Sequence, residues 1–303
     1  MEIVDPPPLL SRLCRFVRYY TRGVDHSRAR VAILSVSPEI ADLTAATIKR
    51  LGHDPVAAVA PRRRKPVPGF PSLDAVGALK ETAVVVAPDK ESLESILKSL
   101  DPDVVVTWAF PWRIPPEALS VPPLGAINYH PSLLPRHRGP NPLAWTIRSG
   151  DSDYGLTWHR MEAEFDSGAI LTQRSTPVLL EDSDAEVLPR ILTLGLRMLR
   201  GVFERVLDGY RGEPQSTEGV TEAPPFGEDY ATIDWSGPAR AVHDQVRAWS
   251  FTPGTGSAEG PFGDLNGRRM KVKRTTLTEP GRDGIRVDCG DGPLWVIESE
   301  PVA

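Results

Sequence analysis

Short apolar runs alternate with amphipathic segments through the first half of the chain. The first run, 31–36, is almost entirely apolar, which is typical of a strand buried on both faces of a parallel sheet. Ser37 and Pro38 then favour a helix start, and apolar residues recur on one helical face until Gly52. Further strands are expected at 55–59, 82–87 and 103–108, with a helix near 90–100. This βαβ order predicts an α/β fold with a Rossmann-like, doubly wound, mostly parallel sheet.

The apolar positions in the second half predict two more strands, a long helix and a smaller β-rich domain. The strands are expected at 154–161 and 169–179, and the helix at 184–207. The apolar stripe assigned to that helix consists of Leu188, Ile191, Leu192, Leu196, Leu199, Phe203 and Val206. Near the C-terminus, a short helix and three β-like runs, with Asn266-Gly267 as a hairpin turn, predict an open barrel.

These patterns divide the chain into four segments. We assign residues 1–29 to an N-terminal extension, 30–208 to the main α/β domain, 209–229 to a linker and 230–303 to the barrel-like domain. The extension has apolar residues at helical spacing, so we predict an appended amphipathic helix. Its arginines leave two roles open: packing on the main domain with a solvated basic face, or contact with a membrane surface or a partner.

Composition and charge narrow the class of protein. With 303 residues, of which 40% are hydrophobic and 25% charged, the chain has the composition of an ordinary globular protein. The net charge of −5 provides no general attraction to nucleic acid, and no DNA partner is expected. Only Arg62–Lys65 forms a dense basic cluster, which fits a solvated loop as well as a phosphate or tRNA contact.

Further classes of protein are excluded by the cysteines, by the opening residues and by the end of the first strand. Cys14 and Cys289 are the only cysteines and lie far apart, so we expect no disulfide framework, no metal site and a cytoplasmic location. The acidic opening and the lack of an apolar run of about 20 residues indicate neither export nor membrane insertion. Because residues 35–37 contain no glycine, the phosphate-binding fingerprint of NAD enzymes is missing, and NAD is not expected.

A short polar motif follows the strand start at 125–127. Asn128 and His130 are two residues apart, so on an extended strand both side chains point to the same side. Ligands of doubly wound sheets bind beyond the carboxyl ends of strands, where this pair lies. The amide can bind a developing oxyanion, the imidazole can move a proton, and Asp166 can orient the ring and keep it protonated. A chance pair on the surface or in the core is the alternative.

The longer pattern resembles the signature of the folate-dependent formyltransferases, of the methionyl-tRNA and amino-sugar type. In that family an Asn, a His two residues later, an SLLP run and an Asp in a later D-x-G turn form the site. Here they correspond to Asn128, His130, Ser132–Pro135 and Asp166. The resemblance covers about residues 31–298, including a barrel-like C-terminal domain, and implies catalysis by Asn128, His130 and Asp166 without a metal.

The resemblance also implies a pocket for the co-substrate 10-formyltetrahydrofolate. One segment precedes Asn128 at the interval of the family's pterin-contacting backbone, and the loop before Asp166 matches the other wall of that pocket. The implied folate-binding residues are Trp112, Arg113, Ile114, Ser132, Leu133, Leu134, Pro135, Glu162, Ala163, Glu164 and Phe165. Pro140 departs from the pattern, since the amino-arabinose enzymes have a basic residue there that belongs to the folate site.

The acceptor implied by the resemblance is a primary amine, which attacks the formyl carbon. The run 141–170 shares its W, HRM and GAI positions with the amino-sugar nucleotide enzymes. We therefore expect a small-molecule amine, either an amino-sugar nucleotide or an amino-acid-derived metabolite. Methionyl-tRNA is the alternative acceptor, favoured by Arg62–Lys65 and by the C-terminal domain. Two further alternatives are a formyltetrahydrofolate hydrolase and a non-catalytic folate-binding module.

Overall fold

The computed structural model describes residues 28–62, 79–252, 255–281 and 284–302. The amphipathic helix expected in the N-terminal extension and residues 63–65 of the basic cluster lie outside these ranges. The described residues form two compact units. The first contains 28–62, 79–127 and 207–209, and the second contains 128–206 and the described residues between 210 and 302.

The first unit is built from parallel strands and three helices. Its elements are β1 (Arg30–Ser35), α1 (Pro38–Arg50), β2 (Asp54–Pro61), β3 (Val84–Ala87), α2 (Leu93–Leu100), β4 (Val104–Trp108) and α3 (Pro116–Leu119). β1 pairs in parallel with both β2 and β4, and β2 pairs in parallel with β3. α1 begins as predicted, because Ser37 Oγ accepts a hydrogen bond from Ile40 N at 3.3 Å and Pro38 occupies the first turn.

Three more strands extend this sheet. They are β5 (Ala126–His130), β6 (Asp153–Arg160) and β7 (Ile170–Pro177). The strand order is β3-β2-β1-β4-β5-β6-β7, and β6 pairs with β7 in the antiparallel direction. The mixed sheet and its helices confirm the predicted α/β, Rossmann-like, mostly parallel fold.

The second unit contains three further α-helices, α4 (Pro142–Arg148), α5 (Asp184–Leu207) and α6 (Ala239–Trp249). α5 has the predicted bounds, but its buried face differs from the predicted stripe: Leu188 is 39% exposed and its neighbour Val187 is fully buried. Leu192 and Leu196 are only partly buried. The buried residues of α5 are Val187, Ile191, Gly195, Leu199, Val202, Phe203 and Val206. Most of these residues follow one another in helical steps of three or four from Val187, so they share one face. Gly195 belongs to this face, but because it has no side chain the apolar pattern of the sequence does not reveal it.

A four-stranded antiparallel sheet forms the C-terminal part. Its strands are β8 (Phe262–Leu265), β9 (Arg268–Thr276), β10 (Ile285–Cys289) and β11 (Gly292–Pro301), in the order β10-β11-β9-β8. Asn266 and Gly267 have φ of +51° and +77° and join β8 to β9, as the predicted hairpin turn requires. The sheet confirms the predicted smaller β-rich region. β8 is an additional strand, too short and too polar in sequence to stand out. No helix among the described residues is long and apolar enough to span a bilayer.

Candidate active site

The end of β5 and the loop between β6 and β7 bring the three predicted catalytic side chains together. Asn128 and His130 point to the same side of β5, as their spacing predicts. Asp166 Oδ1 lies 3.5 Å from Asn128 Nδ2 and 3.5 Å from His130 Nδ1. The side chains of His130 and Asp166 are only 6% and 9% exposed. Water therefore screens the charge of this group poorly.

A fourth side chain, His159, completes the group. Its Nε2 lies 3.1 Å from Asn128 Nδ2 and 3.5 Å from Asp166 Oδ1. The sequence motif does not single out His159. The available signal was its place in the HRM run, on a strand expected next to Asp166.

One face of β6 holds the loop that follows β5. Gly155, Thr157 and His159 alternate with large buried side chains and so share a face. A Cβ on Gly155 would lie 1.9 Å from Leu133 N, so only glycine permits this approach. Thr157 Oγ1 donates to Ser132 O at 2.6 Å. Through these contacts β6 fixes the loop and, with it, the end of β5.

The backbone bonds of the two site histidines define which ring nitrogen carries the hydrogen. His130 Nε2 lies 2.8 Å from the carbonyl oxygen of His137, and His159 Nδ1 lies 2.7 Å from that of Arg160. A carbonyl oxygen only accepts, so each of these nitrogens donates. In the neutral rings, the nitrogens without hydrogen, His130 Nδ1 and His159 Nε2, both face Asp166 Oδ1.

A backbone N–H and the side chain of Gln215 hold Asp166 in place. Its Oδ2 accepts from Gly139 N at 2.9 Å, and its own backbone has a φ of +52°, in the left-handed region. Gln215 Nε2 donates to the carbonyl oxygens of Asp166 at 2.7 Å and of Gly168 at 2.8 Å. A Cβ on Gly168 would lie 2.0 Å from Arg160 O, so the turn closes tightly against the end of β6.

The segment predicted as a linker supplies Gln215 and lies along the site loop. Arg138 N donates to Thr221 O at 2.9 Å, and Ala223 N donates to Arg138 O at 2.6 Å. The Arg138 guanidinium donates to Gln215 Oε1 through Nη2 at 2.6 Å. A single glutamine in a polar stretch gives no sequence signal for this role, which depends on the fold.

Burial and charge act in opposite directions on His130 and Asp166. Burial lowers the pKa of His130 and outweighs the Asp166 carboxylate, which raises it. This differs from the sequence prediction that Asp166 keeps the ring protonated, since sequence alone cannot weigh desolvation. Burial raises the pKa of Asp166, but His130, His159 and the Gly139 N–H together hold it well below its ordinary value. Burial thus lowers the affinity of His130 for a proton, while the low pKa of Asp166 keeps this residue a carboxylate.

The implied folate-binding residues lie in three segments. Trp112, Arg113 and Ile114 belong to the first unit, between β4 and α3, where Ile114 is buried and Arg113 exposed. Glu162, Ala163, Glu164 and Phe165 are all exposed in the loop after β6, and Phe165 is 54% exposed. The Phe165 side chain, directly before Asp166, is therefore accessible to solvent.

The third segment, Ser132–Pro135, is mostly committed to internal bonds. Ser132 Oγ donates to Arg136 O at 2.6 Å, and Leu134 O accepts from Gln173 Nε2 at 2.8 Å. Leu133, in contrast, is 38% exposed. Among the described residues, no group of three or more His, Cys, Asp or Glu side chains is arranged to hold a metal ion.

Known proteins resemble this chain in its N-terminal part and in its C-terminal part. Residues 22–202 match the family described as formyl transferase, and residues 228–302 match the formyl transferase C-terminal domain. The chain is 32% identical over 280 residues to a methionyl-tRNA formyltransferase of Citrifermentans bemidjiense, which covers 86% of each chain. It is 30% identical over 295 residues to that of Myxococcus xanthus, which covers 91% of each chain.

A solved structure shares the fold. The N-formyltransferase from Helicobacter canadensis, in complex with folinic acid and dTDP-3-aminofucose, matches with a TM-score of 0.64 at 17% identity. The match covers 89% of this chain and 98% of that chain. The matched regions and the relatives together show that this chain belongs to the formyl transferase family.

Proposed function

We propose that the chain transfers the formyl group of 10-formyltetrahydrofolate to the amino group of methionyl-tRNA. The observation that carries this proposal is the likeness to methionyl-tRNA formyltransferases over 86% and 91% of the chain. The match to the family's C-terminal domain at 228–302 supports it. This order reverses the expectation from the sequence motif, which placed a small-molecule amine first and methionyl-tRNA second.

In the proposed reaction the amine attacks the formyl carbon, and negative charge develops on the formyl oxygen. Asn128 donates an amide hydrogen to that oxygen, a contact typically worth about 3 to 4 kcal/mol. His130 accepts the proton that the amine loses and passes it to the departing folate nitrogen. The lowered pKa of His130 supports this role, since a neutral ring can accept a proton. Asp166 then stabilises the protonated ring across the 3.5 Å contact.

The folate pocket is proposed from the residues that the family resemblance implies. In the second unit, Ser132–Pro135 and Glu162–Phe165 are proposed to bind folate chiefly through their main chain. The resemblance implies the same role for Trp112–Ile114 of the first unit. The exposure of Leu133 and Phe165 supports their contact with a ligand. We also keep the predicted division into a catalytic domain at 30–208, a linker at 209–229 and a C-terminal domain at 230–303.

An amino-sugar nucleotide is the second candidate acceptor. The shared W, HRM and GAI positions in 141–170 favour it, and they include His159, which contacts Asn128. The Helicobacter canadensis enzyme, which has the same fold, was solved with dTDP-3-aminofucose. An amino-acid-derived amine stays the third possibility.

Formyl transfer from radiolabelled 10-formyltetrahydrofolate tests these candidates side by side. We expect turnover with initiator methionyl-tRNA and a steep loss of binding with added salt, because phosphate contacts release counterions. Transfer to amino-sugar nucleotides without transfer to tRNA would favour the second candidate. Formate release in the absence of any amine would instead identify a hydrolase. Incubation with uncharged tRNA is the matched control, because it offers the same phosphates without the amine.

A further inference from the structure

The mechanism above leaves His159 without a role, although it contacts two of the three proposed catalytic side chains. Its Nδ1 donates to the Arg160 carbonyl oxygen at 2.7 Å, so the Nε2 of the neutral ring has no hydrogen. That Nε2 lies 3.1 Å from Asn128 Nδ2. The ring nitrogen therefore accepts a hydrogen bond from the Asn128 amide.

This bond determines the direction of the Asn128 amide. The amide nitrogen has two hydrogens, and one of them is directed at His159. The other makes the longer 3.5 Å contact with Asp166, which is weak at that distance, so a substrate oxygen that approaches in the amide plane can replace it. If the amide were turned over, its oxygen would face the bare Nε2, and two acceptors would meet without a hydrogen. His159 thus disfavours the orientation that turns the amide nitrogen away from Asp166.

We propose that His159 is a positioning residue of the formyl-transfer site, which holds the Asn128 amide with one N–H available for the oxyanion. His159 also shares Asp166 Oδ1 with His130, at 3.5 Å from each ring. The inference rests on the proposed function, because it takes Asn128 to be the oxyanion donor.

A histidine that merely fills the core would also be buried and bonded, and His159 is 1% exposed. Its charge separates the two roles. Two imidazoles that face one carboxylate oxygen repel each other when both are protonated, so His159 is among the groups that lower the pKa of His130. Removal of His159 therefore has consequences for Asn128 and for His130 that loss of packing alone does not have.

Substitution of His159 by leucine and by glutamine separates packing from positioning. We expect H159L to lower kcat about 10- to 100-fold with little change in KM, because a misdirected donor weakens the transition state more than substrate binding. H159Q places an amide oxygen near the position of Nε2 and should recover kcat to within about fivefold of wild type. H243Q is the matched control. His243 is also buried, and its two ring nitrogens lie within hydrogen-bond distance of Thr275 Oγ1 and Leu180 O. It lies on α6, however, and these partners do not belong to the site.

Nuclear magnetic resonance titration of the His130 ring provides a readout that needs no acceptor. The titratable groups that act on this ring are Asp166, which raises its pKa, and His159 and His137, which lower it. In H159L one of the two lowering groups is absent, so the titration of His130 should shift to higher pH. If the substitution changed only the packing around His130, we would not expect this shift of its pKa.

The outcomes separate the inference from the proposed function. Wild-type kcat and an unshifted His130 titration in H159L would overturn the role of His159, whichever amine the wild-type protein uses. Equal losses in H159L and H159Q would also overturn it, because the acceptor atom would then be irrelevant. If the wild-type protein releases formate without an amine, the proposed function fails, and the kcat values of H159L and H159Q in that reaction still test the inference.

Discussion

Two of the settings in which buried histidines occur within the second unit differ in what the rings face. His130 and His159 each direct one nitrogen to a backbone carbonyl and the other to the Asp166 carboxylate. His243 on α6 instead lies 2.9 Å from a carbonyl oxygen and 3.0 Å from a threonine hydroxyl. Burial lowers the pKa of both His130 and His243.

The difference shows that burial and a shifted pKa do not by themselves identify a site. Around His243, Glu181 and Asp244 raise the pKa of the ring and Arg247 lowers it, so charges of both signs oppose each other. Around His130, one carboxylate lies in contact with an imidazole and with an amide that can donate. This combination can hold a proton and a developing negative charge together, which a catalytic site for acyl transfer needs.

Asp166→Asn should have the largest effect, since it removes the charge that distinguishes the two settings. We expect kcat to fall about 10³-fold, because the neutral amide does not stabilise a protonated His130. The pKa of His130 should fall further, since the carboxylate that raises it is gone. A pH profile of kcat and a titration of the ring measure the two effects.

Asp182→Asn is the matched control for that change. Asp182 is also a buried carboxylate, 4% exposed and 2.7 Å from Arg190, but it faces no imidazole of the site. Its loss should lower the melting temperature and leave kcat within about twofold. A similar fall of kcat in both variants would mean that Asp166 acts only through stability.

Gln215→Ala should have an intermediate effect. The variant loses both bonds to the loop that carries Asp166, a residue in the left-handed region of backbone conformation. We expect a stability loss of about 1 to 2 kcal/mol. We also expect kcat to fall about 10-fold, because the carboxylate moves relative to His130. Kinetics and thermal melting measure the two losses.

Gln215→Glu separates the two halves of the Gln215 side chain. Glutamate keeps an oxygen for Arg138 but has no N–H for the carbonyl oxygens of Asp166 and Gly168. Its kcat should therefore fall as far as that of the alanine variant, whereas Glu218→Ala in the exposed part of the same segment should match wild type. Full activity of Gln215→Glu would contradict a role in holding Asp166.

The fold was largely predictable from sequence because its signals are local. Periodicity and turn residues gave α5 its bounds and the Asn266-Gly267 hairpin its place. The face of α5 was misassigned at Leu188, since several neighbouring positions are apolar and only packing selects among them. The short β8 escaped detection because four residues carry too little periodicity.

The arrangement of the candidate site was predictable where it depends on spacing along one strand, and it was not predictable where it depends on tertiary contacts. Asn128 and His130 share a side because of their spacing, and Asp166 followed from the family pattern. His159 and Gln215 come from other segments, and their contacts with Asn128 and Asp166 join residues 31 and 49 positions apart in sequence. The pKa direction of His130 depends on burial, which the residue types do not reveal.

His243→Gln should have the smallest effect on activity and a clear effect on stability at low pH. The pKa of His243 is below its ordinary value of 6.5, so unfolding takes up a proton once the pH falls below that value. Stability is therefore full above about pH 6.5 and declines as the pH falls, by up to about 1.4 kcal/mol for each unit of pKa depression. The glutamine variant does not take up this proton, so its stability should decline less between pH 7 and pH 5, while His130 preserves part of the decline. Urea unfolding between pH 7 and pH 5 measures this decline in stability, with kcat as the control. An unchanged slope together with a lowered kcat would place His243 with the histidines of the candidate site and remove the contrast between the two settings.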